Sequence, residues 1–349
     1  ADMNAQVSWL PLKDMPAANV DGIPELQFHR DLLANIDNKE YLRSIGRVEG
    51  FEQTTVPTLN VTGWNDFLRD KTIYNFTQFQ QRGGSEECRK GSRLIVGPWL
   101  HGDRMEGWIE GVNYGPEGSG DGFGMTEKLI QWFDHWCKGL DTEFTSGAPV
   151  KLFVMGKNVW RDEYEWPLAR TRYTPFYLHS AGQANTCLGD GILTEKPCGE
   201  EPADHYTYDP MNPCPSDTGE PMKMMMQDQR LLQKRPDVLV YTTPAFTEET
   251  EITGPIYVEL YASTDARDTD FCARVGVIRR DGSEYRLGAK LVRGRYRNGE
   301  KAEAMVPGEI YRFRIEAANT CIVLAPGEAI RLDVTSSLFP DADRNLNTF

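Results

Sequence analysis

The 349 residues contain no run of lysine or arginine, although Lys plus Arg number 38 against 52 Asp plus Glu, a net charge of −14. Without a basic stripe, nucleic acid is excluded as an expected partner. No stretch approaches the roughly 18–20 apolar residues that a membrane span needs. The first ten residues, "ADMNAQVSWL", lack the basic-then-apolar pattern of an export signal. The seven cysteines never form C-x-x-C. That argues against a zinc site or a complete disulfide framework. Cys187, Cys198 and Cys214 share one loop-rich stretch and would be the ones to pair on export. Free thiols in a reducing, cytoplasmic setting are the expectation. No cofactor and no metal are expected.

One further absence bears on chemistry. No serine, cysteine or threonine upstream of residue 66 sits in a G-x-S-x-G-type setting. Ser8 and Ser44 lack the preceding glycine, and no cysteine precedes Cys88. In the whole chain only Ser85, in "GGSEE", has a glycine two positions before it, and it lacks the glycine after. The strained strand-to-helix elbow that presents a nucleophilic serine is therefore missing from the sequence.

What is present falls into three textures. Residues 1–50 read as loops and short helices, with Leu26, Phe28, Leu32, Leu33, Ile36, Tyr41, Leu42 and Ile45 near helical spacing. Residues 51–145 alternate strand and helix. "TVPTLNVTGWND" predicts a buried strand ending near Gly63. "DFLRDKTIYNFTQFQQRGG" predicts a helix over 66–84 whose apolar side is Phe67, Leu68, Ile73, Phe76 and Phe79. "RLIVGPW" predicts a second buried strand. That is a βαβ unit with parallel strands. "MTEKLIQWFDHWCKGLD" predicts a helix packed through Leu129, Ile130, Phe133, Trp136 and Leu140. From about residue 146 to 349 short β runs and turns follow, beginning with "VKLFVMG" and including "DHYTYDP", "GEIYRFRIEA" and "TCIVLAPGEAIRLDVTSS". They predict a two-sheet sandwich or jelly roll. The Met-rich "MKMMMQ" (222–227) reads as a loop or irregular packing.

Parallel strands share one C-terminal rim, where ligands and catalytic groups collect. Asp66 lies just past the first strand and His101 just past the second. An acid followed by a base fits the last two places of a nucleophile–acid–base order. Asp66 would hold Nδ1–H of His101, and Nε2 would take the nucleophile's proton. The other histidines compete weakly: His135 lies in the strong helix, His29 in the irregular start, and His179 and His205 in β runs.

The chain resembles the C-terminal portion of the CocE/NonD hydrolases, a family of acyl ester hydrolases, acylases and X-Pro dipeptidyl-peptidases. The resemblance rests on "VPTLNVTGWND", "GPWLH", "WFDHWCKG", "VKLFVMGKNVWRDEYEWPLARTRYTPFYLHS", "YDPMNPCP", "DVLVYT", "TGPIYVELYASTDARDTDF" and "SSLFPDADRNLNT", in that order over residues 55–349. It implies a helical cap remnant (1–50), the C-terminal βαβα part of an α/β-hydrolase domain (51–145) and a jelly-roll, galactose-binding-like sandwich (146–349). It implies a small ester or amide substrate cleaved through an acyl-enzyme, with Asp66 as acid and His101 as base. The serine and an oxyanion-hole tyrosine have no counterpart in the chain, which is expected to be inactive alone. The alternatives are one half of a split hydrolase or a non-catalytic jelly-roll binder. In family members that hold a substrate ammonium, carboxylates stand two and three residues after the acid. Leu68 and Arg69 stand there here, so Arg69 is expected either to disfavour an ammonium or to lie on the surface. A two-strand sheet remnant would leave an unpaired edge open to self-association.

Overall fold

A computed structural model describes residues 8–11, 14–15, 24–46, 50–102, 105–109, 111–216 and 228–349. The Met-rich segment lies outside them. Two helices, α1 (Pro24–Ala34) and α2 (Lys39–Ile45), precede the first sheet. The βαβ unit follows as β1 (Leu59–Asn65), α3 (Arg69–Arg82), the short α4 (Glu86–Gly91) and β2 (Arg93–Leu100). β1 and β2 pair in parallel, as the pattern predicts. Ser85 caps α4, its Oγ accepting from Cys88 N at 2.9 Å and donating to the Thr55 carbonyl at 2.5 Å. The one serine with a near-elbow setting is thus a helix cap.

A minor hairpin of β3 (Trp108–Ile109) and β4 (Val112–Asn113) leads to α5 (Gly120–Phe123), α6 (Met125–Lys138) and α7 (Glu143–Ser146). The first sheet then continues. β5 (Val150–Val154) pairs parallel to β2, and β6 (Val159–Glu163) pairs antiparallel to β5, giving the order β1-β2-β5-β6. The sheet therefore has four strands where two were expected, and "VKLFV" belongs to it rather than to the sandwich. An apolar run of this kind suits either environment, and only its partner decides.

Successive residues of β2 face opposite sides. Leu94 and Val96 join α3 residues Ile73 and Phe76 in the main core. Ile95 and Trp99 face Phe123, Met125, Trp132 and Phe144 of α5–α7. Helix α6 packs through Met125, Trp132 and half-buried Trp136, but Ile130 and Phe133 are 56% and 58% exposed and Leu129 and Leu140 are exposed as well. The apolar face expected to be packed is thus largely bare. Phe67 and Leu68, expected in α3, precede it and are also exposed.

The rest is a two-sheet β sandwich. A six-stranded sheet has the order β12-β11-β14-β9-β8-β7. Its members are β7 (Tyr177–His179), β8 (Ile192–Thr194), β9 (Leu239–Thr242), β11 (Asp270–Ile278), β12 (Glu284–Arg293) and β14 (Ala329–Thr335). Facing it are β10 (Thr250–Ala262) and β13 (Tyr311–Leu324), paired antiparallel. Phe271 and Phe313 meet across the sheets, ring centroids 4.6 Å apart. β13 is one long strand through what reads as two runs, and "DHYTYDP", with His205, carries no strand pairing. Met155, just past β5, exchanges backbone hydrogen bonds with Cys321 and Val323 of β13, so the sheet and sandwich are stitched together. No helix among the described residues is long and apolar enough to cross a membrane. All seven cysteines are free, Cys187, Cys198 and Cys214 included.

The sandwich buries a carboxyl pair. Gln233 Nε2 donates to Glu284 and, at 3.0 Å, to Asp333. Burial first, and then the Asp333 charge, push Glu284 up to about 8. The native state therefore keeps a proton that the unfolded chain has already released. Stability should fall as pH rises from the ordinary glutamate range to about 8. Thermal midpoints measured across that window would show the slope. Burial also raises Asp333, to about 6, so Glu284→Gln should flatten the upper part of the slope, and an unchanged slope in the variant would rule Glu284 out as its source.

Candidate functional site

Asp66 and His101 each follow immediately on a strand end, β1 and β2 respectively. Regular pairing from Gly63↔Gly97 would set Asp66 opposite Leu100 and turn His101 to the other face. The register instead shifts between Gly63 and Asn65, so that Asn65 pairs with Leu100. One extra residue on β2 brings the next two residues, Asp66 and His101, side by side. Gly63 makes the shift sterically allowed: a Cβ there would lie 2.0 Å from the Trp99 carbonyl oxygen.

The two side chains meet as the sequence predicts, His101 Nδ1 lying 3.1 Å from Asp66 Oδ1. Asp66 Oδ1 also accepts from Leu68 N at 2.8 Å, and Thr62 Oγ1 lies 3.4 Å from Oδ2. The carboxylate is mostly buried (12% exposed), while the imidazole is 47% exposed. Phe67 packs at 4.4 Å from the imidazole centroid. A carboxylate on Nδ1 selects the tautomer with hydrogen there, leaving Nε2 as the proton acceptor.

Behind the pair lies a buried polar cluster that the sequence reading missed. Asn65 Nδ2 donates to the Pro98 carbonyl at 2.5 Å, tying the end of β1 to the end of β2. Its Oδ1 accepts from the Tyr285 hydroxyl of β12 at 2.8 Å. Tyr285 has spent its proton, so the Tyr114 hydroxyl donates to it at 2.5 Å. Burial, and then Tyr114, raise Tyr285 well above its ordinary range. A polar side chain next to Asp66 was the only signal in the sequence. Its partner is 220 positions away.

Arg69 is neither substrate-facing nor on the surface. It is 3% exposed and its Nη1 donates to the Trp64 carbonyl at 2.6 Å and the Leu287 carbonyl of β12 at 2.9 Å. Its Nε meets Asp70 at 2.9 Å. Burial alone would raise Asp70, but Arg69 outweighs it, with help from Lys290 and Asn319, and holds the carboxyl at about 2. With its charge used internally, Arg69 gives no argument against an ammonium substrate. Among the other histidines, His135 caps the end of α6, its Nδ1 2.8 Å from the Leu140 carbonyl. His205 is exposed, His29 lies on α1, and His179 sits in a separate cluster.

The fold defines a two-part protein, a sheet of mainly parallel strands with helices on both faces, followed by a β sandwich. Residues 1–103 match the X-Pro dipeptidyl-peptidase (S15) family, and residues 142–348 match the X-Pro dipeptidyl-peptidase C-terminal non-catalytic domain. Cocaine esterase of Rhodococcus sp. (strain MB1 Bresler) is 36% identical over 318 residues, covering 89% of this chain and 54% of the esterase. A solved α-amino acid ester hydrolase is 26% identical with a TM-score of 0.71, over 84% of this chain and 50% of its own. An aminopeptidase from the marine sediment archaeon Thaumarchaeota archaeon is 26% identical with a TM-score of 0.70, over 84% and 49%. The chain belongs to the CocE/NonD hydrolase family. It spans about half the length of these relatives.

Proposed function

We propose that this chain supplies the acid and the base of a serine acyl hydrolase, Asp66 and His101, for cleavage of a small ester or amide. Contact between the two at the C-terminal rim of parallel strands carries the reading. In the first half-reaction a serine Oγ bonds to the acyl carbon while its proton passes to His101 Nε2. The leaving group departs with that proton, giving an acyl-enzyme. Water then attacks, losing a proton to Nε2, and the serine leaves with it as the acid product is released. Asp66 holds the Nδ1–H and steadies the imidazolium.

The serine and the oxyanion-hole donors come from chain outside these 349 residues, on the same polypeptide or a second one. The bare apolar face of α6 and the position of β1 at the sheet's edge support this, since a parallel sheet normally has both faces and its inner edges covered. In this reading the first sheet is the tail of an α/β-hydrolase sheet and the sandwich is its jelly-roll companion.

Assayed alone, the chain should neither turn over a nitrophenyl acyl ester nor be labelled by a fluorophosphonate. The polypeptide that includes the nucleophile should do both. Turnover or labelling of the chain alone that a serine substitution within it abolishes would overturn the reading.

A further inference from the structure

His179 ends β7, an edge strand of the six-stranded sheet. The loop after β8 folds back over that edge and brings three chemically different groups to it. His179 Nε2 meets the Lys196 carbonyl at 2.8 Å, and Nδ1 faces Glu201 Oε1 at 2.7 Å. Cys198 Sγ donates to the Leu178 carbonyl at 3.0 Å. The donor atoms of His179, Cys198 and Glu201 all lie within 4.8 Å of one another. Glu201 is further fixed by Ser180 N, 3.2 Å from Oε2.

The lone pairs set the problem. A carbonyl oxygen at Nε2 accepts only, so Nε2 carries the hydrogen. That directs the Nδ1 lone pair at a carboxylate oxygen, which also only accepts. Something positive must lie between them, either a proton or a metal ion. A proton joins the histidine and the glutamate alone, the thiol's hydrogen going to the Leu178 carbonyl, whereas a metal ion would draw on all three donors. A ring N–H bound to a backbone carbonyl is also the usual outer support of a metal-binding histidine, since it fixes the ring and leaves the other nitrogen free to ligate.

We propose that His179 Nδ1, Cys198 Sγ and Glu201 Oε1 form a site for a thiophilic divalent cation of the zinc type. Mixed nitrogen, sulfur and oxygen donors suit that ion. Bonds of about 2.0–2.1 Å to nitrogen and 2.3 Å to sulfur place tetrahedral donors roughly 3.3–3.6 Å apart. The histidine–glutamate pair must open by roughly 0.6 Å and the thiol close in, movements that a half-exposed loop allows. On binding, the thiol proton and any proton on Nδ1 leave to solvent. The fourth position stays with water. The ion would pin the loop to the strand edge that it already covers. This inference is independent of the hydrolase reading, since the site lies in the sandwich and shares no residue with Asp66 or His101.

The test is titration of the tag-free chain with Co2+ alone, followed by Zn2+. The expected result is one equivalent of cobalt with a near-ultraviolet thiolate-to-cobalt absorption, displaced by zinc. Cys198→Ser should abolish the absorption, and His179→Gln should weaken cobalt binding at least tenfold. Cys198 is exposed, so its serine variant keeps the fold, and circular dichroism verifies this. Absence of the absorption, or its persistence in Cys198→Ser, would overturn the proposal.

Discussion

On the proposed mechanism, His101→Ala, made in a polypeptide that includes a nucleophile, should lower kcat by about 10⁴-fold or more while leaving KM within a few-fold. Half of the imidazole faces solvent, so its removal opens no core cavity and the fold should survive. Asp66→Asn should lose a comparable factor for a different reason. Asp66 Oδ1 serves Leu68 N and His101 Nδ1 together. An amide there keeps its single oxygen for the backbone N–H and turns an N–H toward Nδ1. The imidazole is then held in the wrong tautomer, with hydrogen on Nε2 and no acceptor for the serine proton. Steady-state kinetics on an activated ester, with circular dichroism as the folding control, would decide. Near-normal kcat in either variant would remove Asp66 and His101 from the mechanism.

The second large effect concerns stability. Arg69→Met should cost about 3–5 kcal/mol. Methionine fills the space but leaves the buried Trp64 and Leu287 carbonyls without their donor and Asp70 without its nearest cation. Arg43→Met, which breaks an exposed pair with Glu300, should shift unfolding by no measurable amount. Denaturant melts of both variants against the parent make the comparison. Equal midpoints for Arg69→Met and the parent would show that Arg69 is not a structural centre.

The Asp66–His101 pair was legible because its cue is local: two apolar β runs with one helix between them, each ending in a residue that can do chemistry. Parallel pairing followed from that spacing. The register shift that sets the pair face to face was not legible. It depends on Gly63 approaching the Trp99 backbone, a relation between strands rather than within one. β5 was misplaced for a similar reason, since a strand buried on both sides carries no mark of which sheet it enters. On α6, periodicity located the helix and its apolar stripe but not how much of the stripe is covered. Arg69 looked like a site residue by position. Its burial against β12 arises only when the two parts pack.

Asn65 has a consequence for how this sequence can drift. Its amide faces a carbonyl on one side and a hydroxyl on the other, and Tyr285 and Tyr114 have just enough protons to complete the chain. A change at any one of the three leaves a buried acceptor or donor unmatched, unless a second change answers it. Positions 65, 114 and 285 should therefore vary together or stay fixed, although two lie in the hydrolase-type region and one in the sandwich. A sandwich exchanged in from a relative would have to return a hydroxyl at position 285 to complete that chain.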